Sequence, residues 1–236
     1  MAIFPIIECD SVVQENDKFR IDASKSYISK GENPITLVEI EPDTGLGFIA
    51  VQGLPVANKN FFLDWQYDSA GDKTVSVRIT TDGAPVTVTK TVVCVTEAED
   101  KLFSNDQDLE EIENKILKYV PDGRSSFKYM HRRAQKEMIA YLNKCGWKKY
   151  DQTDITKDDF IDVEQVRYWS TYLTLRLIFK DISNQPNDVF EQKSKMYENQ
   201  EHRWREIAAL RLDLDGSGTQ ETLEGINLTS RDLVRN

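Results

Sequence analysis

Hydrophobic and polar residues follow two different periods along the chain, and the change falls after the first hundred residues. The segments TVSVRITTDG and PVTVTKTVVCV alternate apolar and polar side chains, as in Val75, Val77 and Ile79, then Val86 and Val88. Period two predicts strands that have one face on a core and the other in water. Clusters of Gly, Pro and Asp predict turns beside these strands.

Four shorter strands are predicted before and between these segments, and they are Lys18–Ile21, Ile35–Ile40, Gly47–Val51 and Phe61–Trp65. Several short strands separated by turn residues are typical of a β-sandwich. Residues 1–100 are therefore predicted to form an all-β sandwich domain.

The period then changes to 3.6, which predicts an all-α bundle of about four helices over residues 103–215. In the first helix Leu109, Ile112 and Ile116 share a face. Its start is placed by Ser104 with Gln107, which have the spacing of a capping box, and the Pro-Asp-Gly that follows ends it.

Three further helices complete the predicted bundle. The second has an apolar face that consists of Phe127, Met130, Ala134, Met138, Tyr141 and Cys145. Gly146 ends it as a residue that favours the left-handed conformation. The third, about 162–182, is apolar over most of its length and is expected at the centre of the bundle. The fourth begins at Asp188, with Glu191 also in a capping position.

The fourth helix is charged except for aromatic residues at every seventh position, Phe190, Tyr197 and Trp204. A narrow seam of this kind is typical of packing against a neighbour, and we take these three as candidates for a subunit interface. The alternative is that they pack onto the bundle of their own chain. Residues 216–236 are polar and rich in Gly, Ser and Thr, and the prediction for them is a flexible extended tail.

Charge and composition exclude several classes of protein. The formal net charge is −10, with about −8 in residues 1–100 and about −2 in the rest. Sequence-independent binding of nucleic acid needs clustered Lys and Arg, which this balance opposes. No apolar run could span a bilayer, and the start lacks the pattern of a signal peptide, which favours a cytoplasm without a membrane partner. Three dispersed cysteines, Cys9, Cys94 and Cys145, predict neither a disulfide framework nor a zinc ribbon.

One basic face is predicted on the second helix, and its leading members are Arg124, Lys128, Arg132, Arg133 and Lys136. It could meet an acidic partner, remain solvated or line a DNA channel. A channel through which DNA slides gains nothing from tight phosphate contacts. We therefore rank the partner first, solvent second and DNA third.

Residues 10–96 resemble a PKD-type immunoglobulin-like domain. The resemblance rests on Asp22-Ala23-Ser24-Lys25-Ser26, Phe62-Leu63-Asp64-Trp65 and Ala70-Gly71-Asp72-Lys73-Thr74-Val75-Ser76-Val77. The Trp-Asp-Phe-Gly-Asp-Gly core of the best-known members is replaced here by Asp64-Trp65-Gln66-Tyr67-Asp68. The resemblance implies sandwich topology better than any one subfamily.

Residues 103–215 resemble the four-helix head–tail connector (adaptor) proteins of tailed bacteriophages. The match is in the order of elements: a short helix, a basic and Tyr-rich second helix, an acidic linker, an apolar third helix and a Tyr/Glu/Trp-rich fourth helix. The fourth ends in Ala-Leu-Arg-Leu-Asp-Leu-Asp-Gly-Ser-Gly at 209–218. Tailed phages often add immunoglobulin-like domains to such proteins, which would explain residues 1–100.

The connector resemblance implies a structural virion protein without enzymatic activity. It implies a ring, usually dodecameric, between the portal and the tail or neck proteins, assembled in the host cytoplasm, with genomic DNA passing through its lumen without sequence-specific contacts. It also implies that the tail reaches toward the portal. Physically, the apolar residues of the tail can anchor an added strand, and they are Leu223, Ile226, Leu228, Leu233 and Val234.

The strongest chemical motif is Asp213-x-Asp215-x-Ser217-Gly218-x5-Glu224, which has the spacing of an EF-hand loop. Calcium is the one cofactor that it suggests. The alternative for this segment is a helix end that Asp and Gly residues cap. An alternative function follows, a calcium-dependent binding module with a PKD-like recognition domain.

No catalytic set stands out in the sequence. His131 and His202 lie on different predicted helices among charged residues, and neither flank resembles a nucleophile elbow. The acidic run before the third helix suits a helix N-terminus without any metal. There is no Walker A loop and no G-x-G-x-x-G motif, so we interpret the chain as a non-enzyme.

Overall fold

The computed structural model describes residues 3–29, 35–52, 60–81, 84–96, 100–215 and 225–227. The chain divides into two compact units. The β unit consists of Met1–Asp100 with Val120–Ser126, and the helical unit consists of Lys101–Tyr119 with Phe127–Asn236. The sequence placed a boundary near residue 100, but it did not anticipate that a segment between the first two helices is grouped with the β unit.

Nine strands lie in the described part of the β unit: β1 Ile3–Phe4, β2 Val12–Gln14, β3 Phe19–Asp22, β4 Tyr27–Ile28, β5 Leu37–Glu41, β6 Ile49–Gln52, β7 Phe62–Trp65, β8 Gly71–Thr80 and β9 Val86–Val95. Five of them form one sheet in the order β2-β9-β8-β5-β6, while β3 pairs with β7 and β1 with β4. All six predicted strands are present within three residues at each end, and only the short β1, β2 and β4 lacked a signal.

The core of the β unit follows the predicted alternation. Val75, Val77 and Ile79 of β8 are fully buried. On the face of β9 that points to the core, burial increases along the strand: Val86 is exposed, whereas Val92 and Cys94 are buried. The period was therefore right, but Val86 lies beyond the edge of the core.

Four helices lie in the described part of the helical unit: α1 Asp106–Ile112, α2 Lys128–Lys144, α3 Glu164–Ile182 and α4 Val189–Ile207. Two 3-10 turns, Ile116–Tyr119 and Lys157–Asp159, and two short strands, β10 Ala209–Arg211 and β11 Gly225–Asn227, complete it. Taken over all its described residues, the chain combines a β-sheet region with a group of helices, as the sequence predicted. Strand β10 was not predicted, because only helices were expected over residues 103–215.

The first helix is shorter than predicted and begins one residue later. Asn105, not Ser104, is the N-cap: its side chain accepts from the amides of Gln107 and Asp108, and Asp108 accepts from the Asn105 amide in return. Lys115 has φ = 66°, which ends the α-helical path before the 3-10 turn. Leu109 and Ile116 were predicted to share an apolar face, and both are buried although Ile116 lies in the 3-10 turn rather than in the helix.

The third helix is the central element, as predicted. Ten of its nineteen residues are buried, including Val166, Leu173 and Leu177. The second helix ends as the sequence indicated, with Gly146 at φ = 93°. The fourth helix is capped by Asp188, whose carboxylate accepts from the Glu191 amide at 2.6 Å.

Candidate interaction surfaces

The aromatic seam of α4 packs within its own chain. Trp204 stacks on Tyr168 of α3, with ring centroids 4.6 Å apart. Tyr197 is buried and stacks on Phe179 at 5.6 Å, and Phe190 stacks on the same ring at 6.2 Å. These contacts account for the seven-residue spacing without a second subunit.

A subunit interface at Phe190, Tyr197 and Trp204 is thus not needed to explain their spacing, and it stays a prediction. The alternative, packing onto the chain's own bundle, describes the observed contacts. The physical reason is that α3 also carries aromatic residues along the face it turns to α4, so the rings of the two helices pack against each other. Tyr172 extends the ladder between Tyr197 and Trp204.

Polar contacts to Glu113 hold the middle of this aromatic seam in place. The Tyr197 hydroxyl donates to Glu113 Oε2 at 2.5 Å, and Lys193 Nζ lies 2.5 Å from Glu113 Oε1. Burial, together with the nearby Glu113 carboxylate, raises the pKa of Tyr197. Burial opposes ionisation of Glu113, but the bonds from Lys193 and Tyr197 outweigh it and lower the pKa of Glu113.

The predicted basic face is divided by the structure. Arg124 precedes α2 and belongs to the β unit, where its guanidinium holds Asp10 at 2.5 and 3.2 Å. Its placement on the helix is therefore wrong. Arg133 is on α2 and pairs with Glu137 and with Asp181 of α3, each at 3.3 Å. Lys128, Arg132 and Lys136 also lie on α2, and Lys136 is exposed.

A charged cleft of about 540 Å³ lies in the helical unit among α2, α3, α4 and the loop before α4. Arg176 is its hub, with carboxylate oxygens of Glu137, Glu198 and Glu201 at 3.3, 3.5 and 3.2 Å. These charges are paired with one another, so the cleft is an ion-pair network that joins three helices. The sequence did not reveal it because its members are far apart along the chain.

Glu201 is the buried member of this network, with only 5% of the residue exposed. Burial raises its pKa, and the nearby Arg176, His202 and Arg205 only partly oppose that effect. The cost of holding this carboxylate away from water is therefore only partly offset by its partners.

A buried Ser-His-Asp chain joins α1, α2 and α3. Ser104 Oγ lies 2.8 Å from His131 Nδ1 and 2.8 Å from Ser170 Oγ, while His131 Nε2 lies 3.1 Å from Asp106 Oδ1. Because a carboxylate only accepts, Nε2 carries the proton and Nδ1 accepts from Ser104. His131 is buried, although its neighbours in the sequence, Arg132 and Arg133, are charged.

This chain has the residue types of a catalytic triad but the placement of a structural link. His131 is 0% and Ser104 is 3% exposed, so no substrate atom has access to the hydroxyl. The sequence contained the signal for burial, because His131 is four residues after Phe127 and three before Ala134, on the apolar face of α2.

The EF-hand-like motif is only partly within the described residues. Asp213 is half-buried and its amide donates to the Asp159 carbonyl at 2.8 Å, while Asp215 is exposed. Ser217 and Glu224 lie outside the described residues. Among those that are described, no group of three or more His, Cys, Asp or Glu side chains is placed to hold a metal ion. Calcium binding stays a prediction of the motif.

The predicted tail anchors also fall mostly outside the described part of the chain, and those outside are Leu223, Leu228, Leu233 and Val234. Ile226 is described in its backbone, where it lies in β11 opposite Leu210 of β10. One part of the tail thus pairs with its own chain. No helix in the described ranges is long and apolar enough to cross a membrane.

The solved structures described below are each similar to only part of this chain. No family model and no curated protein matches the chain. A solved carbohydrate-binding module of the β-sandwich superfamily is 17% identical over 41% of this chain and 36% of its own, with a TM-score of 0.33. The PKD1 domain of Vibrio anguillarum Epp is 18% identical over 41% of this chain and 96% of its own, with a TM-score of 0.29.

The endo-β-1,4-mannanase of Thermotoga petrophila is 8% identical over 41% of this chain and 20% of its own, with a TM-score of 0.28. The chain thus spans 36% of the first of these structures. TM-scores this low carry no argument about function. The arguments that follow rest on the residues of this chain.

Proposed function

We propose that this protein is a structural head–tail connector (adaptor) of a tailed bacteriophage, which forms a ring between the portal and the tail. The observation that carries the proposal is the order and packing of the helical unit. A short helix, a basic helix, an acidic linker, a buried central helix and an aromatic fourth helix follow one another, and an extended segment leaves the last helix. This is the order that the connector resemblance rests on.

The ion pairs support an assembly role because they stiffen the helical unit. Arg176 ties α2, α3 and α4 together, and Tyr197 with Lys193 ties α4 to Glu113 after α1. A ring subunit must present the same contact surfaces in every copy, which requires such a rigid body. The β unit, proposed as a PKD/immunoglobulin-like sandwich, would decorate the ring.

The charge pattern supports a lumen through which DNA passes without binding tightly to the protein. The chain carries a net charge of −10. Two arginines of the predicted basic face, Arg124 and Arg133, are paired with carboxylates. A lumen lined by such a surface would release few counterions to DNA, so it would not hold the phosphates.

Negative-stain electron microscopy of the full chain, alone and mixed with portal protein of the same phage, tests the proposal. A closed ring on the portal is the expected result. A chain that stays monomeric and does not bind the portal would overturn the connector assignment. A variant ending at residue 215 is the matched control, since the proposal predicts that it keeps the helical unit and loses portal binding.

A further inference from the structure

Strand β9 has one edge that lacks a partner strand over the first half of its length. On its inner edge β9 pairs with β8 from Val86 to Cys94 without a register shift. On its outer edge β2 pairs only with Val93–Val95. Among the residues that the structure describes, no strand lies beside the outer edge of Val86–Lys90.

The backbone groups that face this outer edge belong to two threonines. The Val93 amide donates to the Ser11 carbonyl at 2.9 Å, so Val93 turns its backbone groups toward β2. Every second residue of a strand turns its N–H and C=O to the same edge. Thr87 and Thr89 therefore also face outward, away from β8, and both are exposed.

This edge lacks the features by which proteins usually prevent strand edges from pairing, which are bulges, prolines, charges and short strands. Pro85 only precedes the strand, and the one charged residue, Lys90, donates from Nζ to the Cys9 carbonyl at 2.6 Å. At the opposite edge of the same sheet, β6 has four residues, and its pairing with β5 shifts register between Val38 and Glu39. The outer edge of β9 is thus the better suited of the two to accept another strand.

The segment Val86–Lys90 complements itself in an antiparallel register centred on Val88. Thr87 then lies opposite Thr89 of a second copy, and each such pair exchanges both of its backbone hydrogen bonds. The Thr–Thr pairs add favourable contacts between side chains. Val88, which is only partly buried against its own core, meets its counterpart at the centre. Lys90 lies opposite Val86, so no like charges face each other.

We propose that Val86–Lys90 is a pairing surface for the same strand of a second copy, so that the five-stranded sheets of two copies join edge to edge. A contact of this isologous kind uses one patch twice and closes at two copies. The inference therefore goes beyond the proposed ring and does not rest on it.

Two physical properties of this contact determine when it forms. The interface is small, so the dimer is expected only at high protein concentration. Residues 1–100 carry a net charge of about −8, so two copies repel each other at low ionic strength. The paired edge itself is neutral apart from Lys90, and salt should therefore strengthen the dimer by screening that repulsion.

Sedimentation equilibrium of the full chain at increasing concentration tests the pairing. The average mass should rise from that of one copy toward that of two, and further at higher salt. Thr89→Pro should weaken association about tenfold or more, because each copy loses an outward N–H that the β8 ladder does not use. Ala50→Lys, at an exposed position on β6, is the matched control and should leave association unchanged.

A charge exchange at the same positions tests the register without proline. The variants Thr87→Lys/Thr89→Lys and Thr87→Glu/Thr89→Glu should each stay monomeric, because like charges would lie directly opposite one another. An equimolar mixture of the two should restore the dimer. The pairing is overturned by a mixture that stays monomeric, or by a parent chain that is monomeric at every concentration. It is also overturned by a dimer that salt dissociates, or that Ala50→Lys weakens as much as Thr89→Pro.

The outcomes separate this inference from the connector assignment. A ring on the portal, without any association that Thr89→Pro weakens, keeps the connector and rejects the pairing. A dimer that Thr89→Pro weakens, without a ring on the portal, keeps the pairing and rejects the connector.

Discussion

The Tyr197 hydroxyl donates a hydrogen bond to Glu113 Oε2 at 2.5 Å, and this bond connects α4 to the chain just after α1. The two residues are 84 positions apart in the chain. Glu113 also receives Lys193, so a charged group that would be costly to bury has two donors.

Tyr197→Phe should lower the free energy of unfolding of the helical unit by about 1–2 kcal/mol, because it removes the hydroxyl and keeps the ring contacts. Urea denaturation followed by circular dichroism measures the change. Tyr172→Phe is the matched control, since its ring also lies in the ladder and the Tyr172 hydroxyl makes no hydrogen bond with Glu113. An equal loss in both variants would contradict a specific role for the Tyr197 bond.

Glu201→Gln should make the protein more stable at neutral pH and leave stability unchanged in acid. The folded-state pKa of Glu201 is raised, so the native state disfavours the ionised form relative to the unfolded chain. Its contribution to stability therefore falls as pH rises from the ordinary glutamate pKa through the folded value. Arg176 keeps Glu137 and Glu198 as partners in the variant.

Unfolding free energies of this variant and the parent, measured between acid and neutral pH, test the sign. Glu198→Gln is the control, since its side chain is 49% exposed and pairs with the same arginine. It should show no gain at neutral pH. A loss of stability in Glu201→Gln at neutral pH would show that the pair with Arg176 outweighs the cost of burial.

Ser104→Ala should destabilise the helical unit by about 1–3 kcal/mol, because it leaves His131 Nδ1 buried without its donor. Asn199→Ala, on the exposed side of α4, should change stability by less than about 0.5 kcal/mol. Nitrogen NMR shifts of the imidazole give a second measurement, with Nε2 expected to carry the proton. A neutral effect of Ser104→Ala would mean that the hydroxyl is not a partner of the histidine in solution.

Asn105→Ala should cost about 1 kcal/mol through loss of the N-cap of α1, whereas Asn105→Asp should be tolerated because aspartate caps as well. The structure gives the cap to Asn105 and the buried bond to Ser104. Helicity and thermal unfolding of the two variants measure the difference. If the Asp variant were as unstable as the Ala variant, the cap would not act through its side-chain oxygen.

The elements of this fold were largely predictable from periodicity, because that signal is local. The apolar face of α2 and the alternation of Val75, Val77 and Ile79 were each readable within one window of sequence. The start of α1 was misplaced by one residue because Ser104 and Asn105 are both good caps, and only the buried bonds of Ser104 to other helices separate them.

The interaction surfaces were harder to predict because they depend on which helices meet. The spacing of Phe190, Tyr197 and Trp204 predicted that they pack against another row of apolar residues. The sequence alone did not show that α3 of the same chain provides that row. Arg176 with Glu201, and Ser104 with His131, are contacts between distant segments that no local pattern marks.

Because Val120–Ser126 belongs to the β unit although it follows α1 in the sequence, recombination cannot exchange this unit at a single boundary. Asp10 depends on Arg124, and Asp17 accepts from the hydroxyls of Ser125 and Ser126. A single crossover at residue 100 would transplant the strands and leave these carboxylates without their partners. A gene fragment that moves this module whole must therefore carry the chain through α1 as well.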